Sequence, residues 1–74
     1  MTGYILWGKV EQLGAGRYRV VVTSMGAADA RPMHILARFA DSRDEAERLR
    51  DDLLMEAEAA IAARGDCVID VEAS

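Results

Sequence analysis

The chain has 74 residues, 51% of them hydrophobic and 30% charged, with a net charge of −4 and a single cysteine. A domain of this size buries only a modest core, and with Cys67 and His34 as its sole soft ligands an internal disulfide is excluded and a four-ligand zinc site disfavoured, so packing or self-association must supply the stability. The charge is unevenly divided, +3 over residues 1–40 and −7 over residues 41–74, which disfavours general nucleic-acid binding and favours a basic partner. The chain opens with no charged region followed by an apolar run, and no stretch reaches membrane-spanning length. With its lone thiol, the expected setting is the cytoplasm, without a membrane.

The stretch YILWGKVEQL, residues 4–12 with the residue that follows, alternates as a first strand, and its Trp7 poses a question. Tyr4, Leu6 and Val10 share one face, Ile5, Trp7 and Lys9 the other, so large apolar groups stand on both. GAG at 14–16 tolerates positive φ and reads as a hairpin turn. RYRVVVTSM, residues 17–25, is a β-branched second strand. GAADARP, 26–32, is a loop closed by Pro32. MHILARFA, 33–40, alternates again and is taken as a third strand, with an extended lead-in to a helix as the alternative.

The helix is expected over residues 43–64. Ser42 with Glu45 three residues on forms a capping-box pattern, strong helix formers follow, and Gly65 supplies the stop. CVIDVE, 67–72, completes a β-β-β-α-β order. The expected fold is one α+β domain over 1–74, a four-stranded, largely antiparallel sheet with one long helix across one face. Ala46, Leu49, Leu53, Leu54, Ala57, Ala60 and Ile61 form the core-facing stripe of that helix. Against it the alternation places Leu6, Val10, Val20, Val22, Ile35, Phe39, Cys67, Ile69 and Val71. Arg50 falls within the stripe, with its stem expected to run along the edge and its guanidinium to reach water.

Two surfaces carry information. On the helix, Asp44, Glu47, Asp51 and Glu58 occupy spacings that form one row, flanked by Asp52 and Glu56, with Arg48 spaced to pair with Asp44 and Asp52. A solvated helix face is one reading; a row of carboxylates imitating a phosphate backbone and occupying a basic nucleic-acid groove is the other. On the sheet, the face away from the helix is expected to show Ile5, Trp7, Val21 and Leu36 among the polar side chains of Lys9, Glu11, Arg19, Thr23, His34, Arg38, Asp70 and Glu72, together with Val68. An apolar patch rimmed by charge marks an interface, most simply with a second copy, so a homodimer is expected. The alternative register would bury Trp7 in the core.

No catalytic residue, metal ligand or cofactor motif is assigned. His34 stands alone, Cys67 opens an apolar strand, Ser42 is a cap and Ser24 has no base in view, so no nucleophile, base and orienting group come together. The GAG turn lacks the lysine and hydroxyl of a phosphate-binding loop. An enzyme is not expected.

In size, acidity and lack of catalytic residues the chain resembles the small anti-CRISPR inhibitor proteins of phages and mobile elements. That resemblance covers overall make-up and no motif. It implies an inhibitor in the cytoplasm of a bacterial host that blocks a nucleic-acid-binding complex, with Asp44, Glu47, Asp51 and Glu58 carrying DNA mimicry. RYRVVVTSM followed by FADSRDEAERLRDDLLMEAEAAI is similar to antitoxins with a partial ribonuclease-H-like fold, although their proline-glycine segment and a DNA-binding segment after Glu72 are missing. An antitoxin-like partner protein, or a structural accessory homodimer, is the alternative function.

Overall fold

The computed structural model describes residues 3–26 and 32–74, with side chains at 32–35 left aside. Four strands and one helix follow in the order β1 (Gly3–Gly14), β2 (Arg17–Gly26), β3 (Pro32–Ala40), α1 (Arg43–Ala63) and β4 (Cys67–Ala73). The sheet order is β3-β2-β1-β4. The hairpin of β1 and β2 is antiparallel, β3 adds antiparallel to β2, and β4 adds parallel to β1, so the α+β fold has a mixed sheet. The helix connects the two outer strands across the hairpin, and it packs against all four.

Local chemistry accounts for the element ends. Gly16 takes φ +70 in the β1–β2 turn, a conformation that a Cβ would strain. The Ser42 hydroxyl accepts the Glu45 N–H at 3.2 Å, satisfying one of the orphan donors of the first turn of α1. At the other end Gly65 takes φ +85, the Asp66 N–H donates to the Ile61 carbonyl at 3.2 Å, and the Gly65 N–H donates to the Ala62 carbonyl at 3.0 Å. That pair of bonds is the Schellman stop, which satisfies the last carbonyls and turns the chain back to β4.

The core lies between α1 and one sheet face. Leu6, Val20, Val22, Ala46, Leu53, Leu54, Ala57 and Ile61 are buried there, joined by Tyr4, Ala40 and Ser24. Each fully buried Leu or Ile contributes on the order of 1.5–3 kcal/mol over its exposed state. Tyr4 closes one end, with the Arg64 guanidinium 5.3 Å above its ring. At Gly8 side chains of α1 press on the sheet: a Cβ there would stand 2.9 Å from both Arg50 Cγ and Leu54 Cδ1.

Both edge strands depart from the expected facing, β3 by lying one residue out of phase and β4 by a bulge. In β3, Leu36 and Ala40 turn toward the helix while Phe39 is 62% exposed, so Phe39 is not core and Leu36 is not on the outer face. The register pairs Val22 with Leu36, Val20 with Arg38 and Tyr18 with Ala40, which sets Arg38 on the helix side as well. The pairing is regular from Tyr18–Ala40 to Ser24–His34 and shifts only at Met25–Pro32, so the whole of this stretch of β3 is set one residue from the expected phase. In β4, an irregularity between the Tyr4 and Ile5 pairings inserts Ile69 as an extra residue. Val68 therefore turns inward to pack on the core, while Asp70 and Glu72 lie opposite Ile5 and Trp7 on the outer face. Cys67 is half-buried opposite Gly3, and Ile69 and Val71 are 57% and 44% exposed, so these three are not core residues. Ala60 is exposed at the margin of the helix stripe. Most of the 26–32 loop, and the side chains of His34 and Ile35, lie outside the described residues.

Candidate functional site

Two surfaces have the composition of binding sites, and each follows from the way the core is built. The stripe that points Ala46, Leu53, Leu54, Ala57 and Ile61 at the sheet turns Asp44, Glu47, Asp51 and Glu58 outward on a flank of α1. Glu47 keeps a moderate exposure beside Arg43, whose Nε lies 3.5 Å from its carboxylate. Arg50 donates from Nε and Nη2 to Asp51 Oδ1 at 3.2 and 3.1 Å. The like charges of Glu47 and Asp51, one turn apart, are thus each compensated by a separate arginine. Arg48 makes no ion pair with Asp44 or Asp52 among the described residues, contrary to its spacing.

Beyond Asp51 the balance changes. Asp52, Glu56 and Glu58 are exposed, no basic residue occurs in α1 after Arg50, and none of the three has an ion pair among the described residues. Met55 stands among them 69% exposed. A polarizable apolar side chain ringed by carboxylates is a feature the charge spacing alone did not single out. Its signal in the sequence was a methionine on the side of the helix opposite the core stripe.

Arg50 has an additional role. Its side chain is only 18% exposed, its stem covers Gly8, and Nη1 donates to the Ser74 carbonyl at 3.3 Å. Instead of lifting its charge into water, it ties α1 to the end of β4. That end is itself laddered to β1 through Ser74 N–H to Gly8 O at 3.0 Å and Val10 N–H to Ser74 O at 3.2 Å.

The outer sheet face answers the question Trp7 raised. Trp7 sits opposite Thr23 on one side and Glu72 on the other, away from the helix, and its Nε1–H donates to Glu72 Oε2 at 2.5 Å. Ile5 and Val21 are half-buried on the same face, and Phe39 takes the place expected for Leu36. Arg19 donates to Glu11 at 2.6 Å, with Lys9 Nζ 3.9 Å from the same carboxylate group. An open groove of about 540 Å³ runs beside Trp7, lined by Lys9, Glu11, Val21, Thr23 and Glu72 among others.

Among the described residues no three His, Cys, Asp or Glu side chains converge where a metal could sit. No described helix is long and apolar enough to cross a membrane. No protein-family model, curated protein or solved structure matches the chain.

Proposed function

We propose that this protein is a small interaction module that binds a basic, nucleic-acid-binding protein through the exposed flank of α1 and blocks its groove. The observation that carries this reading is the second half of the helix, where uncompensated carboxylates surround the exposed Met55. A helix face that serves only to be wetted gains nothing from an exposed methionine, whereas an interface gains an apolar anchor inside a charged rim. Successive acids along one helix flank rise by roughly 4.5–6 Å, a spacing that a groove built for phosphates accepts. The resemblance in make-up to anti-CRISPR proteins makes a CRISPR effector in the bacterial cytoplasm the specific instance of this reading. Binding alone performs the function, with no catalytic step and no cofactor.

The test is capture of partners from nuclease-treated lysate of the native host with the tagged wild-type chain and with an E47K/D51K/E58K variant. The wild type is expected to retain a basic protein whose recovery falls tenfold or more in the variant, since rim charges govern encounter and selectivity. Equal recovery by both chains would remove the Asp44–Glu58 row from the binding surface.

A further inference from the structure

The outer sheet face has an apolar centre and charges of opposite sign at two diagonally opposed corners. Ile5, Trp7 and Val21 occupy the middle, with Phe39 at the β3 margin. Asp70 and Glu72, opposite Ile5 and Trp7, form an acidic corner on the β4 side. Arg19, opposite Glu11, and Arg17, at the hairpin end of β2, form a basic corner. Strand rise and spacing set the two corners roughly 16 Å apart. Glu11 pairs with Arg19 at 2.6 Å and lies 3.9 Å from Lys9, so Arg17 is the cation of the basic corner that has no ion pair among the described residues.

We infer that this face is covered by a second copy of the same chain, in a twofold dimer that lays the Asp70–Glu72 corner of each protomer on the Arg17–Arg19 corner of its partner. A partner of one sign would match one corner and be repelled by the other; a twofold copy matches both at once. A twofold axis that exchanges these corners lies between the sheets and runs diagonally to the strands, so the two sheets cross nearer to a right angle than to alignment, one of the two packings open to sheets. The groove beside Trp7 lies between the corners and receives side chains of the facing sheet. Both helices then point outward, each presenting its acidic flank. This inference is independent of the reading of α1, because it rests on the other face.

The test is the solution mass of the purified full chain by sedimentation equilibrium. The wild type is expected at twice the 8.1 kDa of the protomer. Two variants, D70K/E72K and R17E/R19E, place like charges at both contacts, and each is expected to dissociate at least tenfold more readily. Mixed in equal amounts they regain the double mass, because each altered corner then meets its complement. A monomeric wild type overturns the inference whatever the variants do. Wild-type association by the separate variants, or a mixture that stays monomeric, overturns the charge pairing. A failure here leaves partner capture by α1 untouched.

Discussion

At Gly8 the helix side chains lie directly against the sheet backbone, and the missing side chain is what makes room for them. A Cβ there would meet Arg50 Cγ and Leu54 Cδ1 at 2.9 Å, closer than such contacts allow, whereas a Cβ at Gly14 would meet nothing within 4 Å. Gly8→Ala is therefore expected to cost about 1–3 kcal/mol through overpacking, and Gly14→Ala to stay within about 0.5 kcal/mol. Denaturant midpoints of the two variants measure the difference; equal midpoints would show that α1 shifts freely over β1. The same close approach holds Arg50 down onto the sheet, where its stem packs over Gly8 and its guanidinium reaches the Ser74 carbonyl. The residue that was an awkward fit in an apolar stripe is explained by the glycine beneath it.

At the scale of elements, α1 owes its start to Ser42 and its end to Gly65. Ser42→Ala removes the acceptor of the Glu45 N–H and is expected to cost about 1 kcal/mol, read as a lowered midpoint with an unchanged slope. A loss below about 0.3 kcal/mol would mean that water replaces the cap. These end signals, the helical period of the leucines and alanines, and the alternation of β1 and β2 are written locally, so the order and approximate limits of all five elements were legible from the sequence. The face that each edge strand turns to the helix was not. In β3 the choice between Leu36 and Phe39 is set by the register with β2, which a one-residue slip inverts and which the strand's own alternation does not fix. In β4 the extra residue at Ile69 exists only because β4 pairs with β1, and no local signal announces a bulge. The acidic row was readable from spacing, and so in principle was the Arg43–Glu47 pair one turn apart, whereas Arg50 meets the adjacent Asp51 only because its stem is held down on the sheet.

At the scale of the whole molecule, the two surfaces have different physics. The sheet face is mixed in sign and apolar at its centre, so contacts made through it should weaken less with salt than contacts made through α1 alone. The flank of α1 carries a net charge of −4 over the helix, seven acids against three arginines, and is exposed along its length. Exposed charges lose their long-range attraction as the screening length falls from about 10 Å at 0.1 M salt to about 3 Å at 1 M. Ionic strength thus separates a charge-driven blocker from an accessory subunit held by an apolar contact. The most direct measurement is the affinity of the captured partner for the wild-type chain over that range of salt. Binding through α1 predicts a fall of tenfold or more between 0.1 and 0.5 M. An affinity that stays constant while salt rises would contradict the account and move the partner to the face that Trp7 occupies.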